Sequence, residues 1–209
     1  SYVCAFVTVI ALFSIIAFVV VSGLPHLSFQ LLFGEYVVAG AISILPSIAA
    51  TFMTIVISLL LAIPIGVATA VYLNEYTKKG SRAVKIIRGA IDILSGIPSI
   101  VYALFGMVTF VVWFGGRMSI LAGSFTIAVM LLPTVVRSTE ESLKAVPDSL
   151  REGSLALGAG KVRTLFKVVL PSALPGIMSA IILSMGRVVS ESAPLMYTMG
   201  STIMPVSYT

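Results

Sequence analysis

The chain has 209 residues and a mass of 22.0 kDa; 58% of the residues are hydrophobic, 10% are charged, and the mean hydropathy is +1.12. A soluble domain carries about a quarter charged residues, so an ordinary globular fold, a disordered chain and a DNA-binding domain are all excluded, which leaves a membrane protein. The net charge of +5 matters less than where the charges lie, and the single cysteine, Cys4, in an apolar run, excludes a disulfide framework or a cysteine-based zinc site.

Five uncharged or nearly uncharged apolar runs reach the length of about 20 residues that crosses a hydrocarbon core. The first covers residues 2–23; no Lys or Arg precedes it and no small-residue cleavage pattern follows, so it is a span rather than a signal peptide. His26 follows, without a second His or Cys nearby to share a metal, so no metal site is expected. Residues 36–73 lack charge but are too long for one span; Pro46 and the Gly/Ser content before it mark a lead-in to a second span over 46–73. The third is predicted at 91–115, the fourth at 119–136 and the fifth at 173–192. Tyr72, Tyr76, Tyr102 and Trp113 fall near span ends as interfacial anchors. Ala62, Gly66 and Ala70, and likewise Gly176, Ala180 and Ser184, form small-residue stripes suited to close helix approach.

Charge orients these spans. Lys78, Lys79, Arg82, Lys85 and Arg88 lie between the second and third; Arg137, Lys144, Arg151, Lys161, Arg163 and Lys167 lie between the fourth and fifth. Eleven of the thirteen basic residues therefore share one side, which the excess of Lys and Arg marks as cytoplasmic. The N-terminus is then cytoplasmic and residue 209 lies outside. An odd number of spans predicts a sixth beyond these residues. The expected fold is all-α, a polytopic transmembrane bundle forming a single domain over residues 1–209.

The loop at 137–172 is long for a helical hairpin, where two to eight residues suffice. Pro147 stops a helix, and Ser149-Leu150-Arg151-Glu152 fits a capping box with Ser149 as the cap. A short helix to Leu157 follows, Gly158 and Gly160 can supply a left-handed turn, and residues 161–169 resume helical spacing before Leu170-Pro171. The product is a helix, turn, helix knob at the membrane surface. Gly160-Lys161 is not a P-loop, because Leu155 and Val162 occupy the positions of its earlier Gly and its Ser/Thr.

From Glu152 to Pro171 the spacing resembles the coupling loop of ABC-importer permeases, E-A-A-x3-G-x9-I-x-L-P, with Gly153 and Ser154 in place of the alanines, Gly158 at the glycine, Val168 in place of the isoleucine, and Leu170 and Pro171 retained. The resemblance implies that this knob docks on an ATP-hydrolysing subunit; the alternative is a cap and nothing more. Three further segments, 96–106, Arg137-Ser138-Thr139-Glu140-Glu141 and 187–194, are similar to the phosphate-importer permeases, and most to their PstA-type members, with Ser190 where that family has Gly. The resemblance runs from about Thr51 to Ser201. It implies a type I importer fold with six spans, an inner-membrane location, a second homologous permease, ABC ATPase subunits and an extracytoplasmic phosphate-binding protein as partners, and no cofactor or nucleic acid.

Arg187 lies roughly 18 Å along a helix from Pro175 at 1.5 Å per residue, where a charge is costly unless it faces a polar cavity and a partner. Glu191 is one turn further, and Arg137 with Glu140 repeats the pattern at the inner end of the fourth span. The guanidinium fork matches a tetrahedral oxyanion in bidentate geometry, and a nearby Glu keeps the empty site near neutrality. The alternatives are a structural ion pair at Arg187 and an ordinary surface pair of Glu140 with Lys144. The expected function is therefore non-enzymatic: a pathway for phosphate through the bilayer, with a permease for molybdate or sulfate, or a passive anion channel, as alternatives.

Overall fold

The computed structural model describes residues 2–26, 28, 44–77, 81–113 and 117–200. Glu35, most of the lead-in before Pro46, Lys78 and Lys79, the end of the third predicted span at 114–115, the tail from 201 and the side chain of His26 lie outside the described residues. The described residues contain helices and turns and no strand.

Two units are distinguished, 1–49 and 50–209. In the first, α1 runs Tyr2–Gly23 and ends in a short 3-10 turn at Leu24–His26. Its 22 residues are apolar all round and none is buried; at 1.5 Å per residue it spans about 33 Å, a full hydrocarbon core. Thr8 Oγ1 donates to the Cys4 carbonyl at 2.9 Å within the helix, which removes a polar group from lipid without needing a neighbour.

The second helix, α2, covers Leu45–Val71 and widens into a π turn at Tyr72–Tyr76; its residues from Ala50 onward belong to the second unit. Next come α3 (Arg82–Gly96), α4 (Ser99–Gly106, extended by a π turn at Met107–Trp113), α5 (Ile120–Lys144), α6 (Asp148–Ala156), α7 (Lys161–Thr164), α8 (Leu170–Ser190) and α9 (Ala193–Thr198). Four helical stretches are long and apolar enough to cross a membrane singly: Tyr2–Gly23, Leu45–Tyr76, Ile120–Lys144 and Lys161–Ser190.

Residues 91–115 do not form one straight span. Ile91 and its neighbours belong to α3, which turns by 102° into α4. The bend falls at Ile97-Pro98, where proline forces its predecessor out of helical geometry; Ile97 has φ −73° and ψ 130°. Five spans are reached only if this bent pair crosses as one. Tyr102 also departs from expectation. It is buried rather than interfacial, and its hydroxyl donates to the Leu94 carbonyl at 2.7 Å across the bend.

Helix α5 is the axis of the second unit. Ser119 caps its start by accepting the Ala122 N–H at 3.2 Å. Around its middle, Leu59 and Ala62 of α2 and Val188 of α8 pack on Ile127, Leu131 and Val135. Nearer its end, Ala70, Val84, Ile91, Leu165, Val169 and Ile177 close over Val136 and Leu143. Both small-residue stripes face this packing: Ala62, Gly66, Ala70, Ala180 and Ser184 are buried. Gly66 is required sterically, since a Cβ there would stand 2.6 Å from Cγ1 of Val135, and one on Gly176 would overlap Ser142. At the opposite end from the loop, Thr198 accepts the Ser119 N–H at 3.0 Å and Thr54 Oγ1 approaches the Met199 sulfur at 3.7 Å, so α9 is tied to the beginnings of α5 and α2.

Replacing Gly66 by Val should overpack the α2–α5 contact at a cost of about 1–3 kcal/mol, read as a lower unfolding temperature in detergent. Gly89→Ala, where an added Cβ meets nothing within 4 Å, should leave that temperature unchanged or raise it slightly.

Candidate functional site

The knob forms at the loop end of α5. Helix α6 starts at Asp148 after Pro147, whose φ of −57° and ψ of 138° set the turn into the helix. The capping box is not formed: Ser149 is already the second helical residue, and no side chain caps the start. The reason lies one residue earlier, where Pro147 admits the helix and the Asp148 carboxylate occupies the first turn, a position favoured by the helix dipole. Gly158 supplies the expected left-handed turn with φ +85°. Its N–H reaches the Leu155 carbonyl at 2.9 Å and that of Ala159 reaches Ser154 at 3.2 Å, the paired bonds of a Schellman ending. Gly160, with φ −71°, instead starts α7 in extended geometry.

The two arms of the knob are braced by a 2.9 Å contact between the hydroxyls of Ser154 and Thr164. Beneath it, Thr164, Leu165 and Val169 are buried. Among the expected docking residues, Glu152, Gly153, Gly158 and Pro171 are exposed, whereas Ser154, Val168 and Leu170 are half-buried. Leu157 at the tip is 91% exposed. Leu170-Pro171 does not close the knob: α7, a π turn at Leu165–Val169 and α8 make one helical run from Lys161 to Ser190, 30 residues long. The wide turn falls just before Pro171, which has no N–H to return to the carbonyl four residues back.

Arg137 and Glu140 are brought not to each other but to α3. Arg137 pairs with Asp92, and Glu140 with both Arg88 and Lys144, the last at 2.8 Å. The Glu140 side chain is only 9% exposed, so its two cations offset the cost of removing a carboxylate from water. Arg88 and Asp92 lie one turn apart on α3 and were not singled out by the sequence. Their one visible signal is the four-residue spacing of opposite charges, Arg88 and Asp92.

Arg187 and Glu191 do meet. Arg187 Nε lies 3.6 Å from Glu191 Oε1, and Nη1 donates to Thr134 Oγ1 of α5 at 3.2 Å. Arg187 occupies the last turn of α8, where a positive charge complements the helix dipole. Glu191 sits just past the helix end with ψ 124° and donates its N–H to the Arg187 and Val188 carbonyls. The Arg187 side chain is 39% exposed, and Thr134 and Glu191 together leave much of its donor fork open. Ser184, one turn earlier, is wholly buried and its hydroxyl has no partner. Arg187 is also close enough to the phenol of Tyr102 to act on it electrostatically. The arrangement is an ion pair with donors that Glu191 and Thr134 do not take up.

Arg151 is a residue the sequence reading counted only as a loop charge. It is 16% exposed and contacts the end of α5, Asp148 and Glu75. Its signal in the sequence is faint: an Arg three residues after an Asp, adjacent to the motif glutamate.

Comparison with known proteins places these features. The family described as binding-protein-dependent transport system inner membrane component matches residues 62–208. The chain is 34% identical over 207 residues to the probable ABC transporter permease protein YqgI of Bacillus subtilis, covering 99% of this chain and 70% of that one. It is 43% identical over 144 residues to the phosphate transport system permease protein PstA 1 of Mycobacterium tuberculosis, covering 69% of this chain and 47% of the relative. It thus spans under half the length of that relative. Among solved structures, an inward-facing MetNI methionine ABC transporter superposes with a TM-score of 0.60 at 24% identity over 74% of this chain and 71% of that one, a likeness of fold.

Gly158→Ala should strain the left-handed turn by about 1–2 kcal/mol and speed amide exchange in the knob. Gly160→Ala, at ordinary φ, should leave that exchange nearly unchanged.

Proposed function

We propose that this chain, which belongs to the family of binding-protein-dependent transport system inner membrane components, forms the membrane pathway of an ATP-driven importer for inorganic phosphate. The observation that carries the reading is the continuous helical run Lys161–Ser190, which joins an exposed knob at one end to Arg187 at the other. A push on the knob is delivered along this rod, about 45 Å long at 1.5 Å per residue, to the residue best suited to hold an oxyanion. Phosphate is favoured over molybdate or sulfate because the relatives at 43% and 44% identity are named phosphate transport permeases. A passive channel has no use for an exposed knob with a stiff connection to the pathway.

On this reading the chain performs no chemistry. Phosphate arrives from an extracytoplasmic binding protein, and Arg187 receives it in bidentate geometry while Glu191 yields its place. Arg137, half-exposed beside Asp92, is the second cation on the path; Glu140, held by Arg88 and Lys144, keeps the charge at that end balanced. An ABC ATPase docks on the outer surface of the knob, at Glu152, Gly153 and Gly158, with Ser154, Val168, Leu170 and Pro171 shaping the arms from behind. A second, homologous permease completes the pathway. The basic loops place the knob and the N-terminus on the cytoplasmic side of the inner membrane.

Two measurements test this in the assembled importer reconstituted in vesicles. Arg187→Lys keeps the charge but loses the fork, and should reduce phosphate uptake roughly tenfold to a hundredfold with the ATPase still bound; uptake at the original rate rules out bidentate contact. Glu152→Ala removes an exposed carboxylate with no described intramolecular partner, so it should weaken ATPase copurification without affecting membrane insertion. Unchanged ATPase binding removes Glu152 from the docking surface.

A further inference from the structure

We propose that Arg151 is a positioning residue that fastens the first arm of the knob to the ends of α2 and α5, so that a stroke on the knob moves those helices as well as α8. The inference rests on the transport reading above.

Arg151 lies in the second turn of α6. Nη1 donates to the Val146 carbonyl at 2.7 Å and to Asp148 Oδ1 at 2.8 Å; Nη2 donates to the Leu143 carbonyl at 2.7 Å and to Glu75 Oε1 at 3.2 Å. Leu143 lies in the last turn of α5 and Val146 in the turn that follows it, where carbonyls run short of helical partners and the dipole favours a cation. Glu75 belongs to the π turn that ends α2, and its Oε1 is shared with Asn74 Nδ2 at 2.9 Å. One guanidinium thus meets three elements. No ammonium can span four acceptors in this way, because the match depends on a planar fork.

The two arms of the knob are held by different means. The second arm is covalently continuous with α8, whereas the first follows α5 through the short turn at Ala145, Val146 and Pro147, which Arg151 bridges. Residues of both arms, among them Arg151, Leu155, Lys161 and Leu165, line a small cavity of about 100 Å³ together with Glu75 of α2. With Arg151 removed, α6 would be held by that turn, and by the hydroxyl contact of Ser154 with Thr164 and its packing on residues 161–169, both of which tie it to the second arm and neither to α2. The stroke would then pass to α8 while α2 and α5 lagged, and ATP would be hydrolysed with less phosphate moved.

The test is the ratio of phosphate taken up to ATP hydrolysed, measured on reconstituted importers matched for ATPase content. Arg151→Ala should lower the ratio roughly tenfold while hydrolysis continues, and Arg151→Lys should fall between it and the unaltered protein. The exchange Arg151→Glu with Glu75→Arg should remain uncoupled, since a carboxylate would then face the Leu143 and Val146 carbonyls. Restored coupling in the exchange would reduce the contact to a simple ion pair and overturn the proposal. So would a ratio left unchanged, including one that stays constant while less assembled importer is recovered from the membrane, the sign of a purely structural role. If Arg151→Ala does not accumulate in the membrane, Glu75→Ala cuts the α2 link alone and should lower the ratio by roughly threefold; no change there removes α2 from the proposal. An unaltered importer that hydrolyses ATP without phosphate-dependent uptake would refute the transport reading itself, whatever the variants do.

Discussion

Helix α5 can be buried along most of its length only because its charges are confined to its last two turns, where Arg137, Glu140 and Lys144 are paired and Glu141 is exposed. Glu140 meets Arg88 and Lys144, Arg137 meets Asp92, and the helix end meets Arg151. A charge left unmatched at this depth would cost several kcal/mol, enough to pull α5 out of the centre. Once these pairs are made, the rest of the helix offers small and apolar side chains to α2, α4, α8 and α9. Gly66 and Gly176 then let two of those neighbours approach to backbone contact.

The same economy shapes the two ends of the second unit. At the end with α9, hydroxyls, a thioether and backbone groups make the contacts between elements, and Arg187 is accommodated by Glu191, Thr134 and its place on the last turn of α8. At the knob end an apolar cluster is ringed by polar contacts that are largely ionic. The helical run Lys161–Ser190 links the two, and a proline within it is tolerated because a π turn stands in front of it.

Where expectation and structure part, a short-range rule was overtaken by a neighbouring residue. Ser149 and Glu152 have the spacing of a capping box, but Pro147 and Asp148 begin the helix before Ser149 can cap it. Residues 91–115 have the apolarity of a span, but Pro98 divides them and α3 extends back to Arg82, where it meets α5 through its charges. Tyr102 sits near a predicted span end, yet the bend at Pro98 brings the Leu94 carbonyl within reach of its hydroxyl and draws the ring inside. In each case the pattern was present and a proline redirected the backbone that would have displayed it.

By itself the sequence determined that the chain is helical and membrane-bound, that its basic residues gather in two segments, 78–88 and 137–167, that Gly158 takes a left-handed turn and that Arg187 pairs with Glu191. These follow from composition, from runs longer than a bilayer is thick, and from spacings of three or four residues that a helix converts directly into contact. Tertiary structure alone decided which charges answer one another over long separations. Arg137 stands 45 positions from Asp92, Arg88 stands 52 from Glu140, and Arg151 stands 76 from Glu75. No local period encodes such distances; they are set by how α2, α3 and α6 pack around the end of α5, because ionic groups excluded from lipid take the partners that packing brings to them.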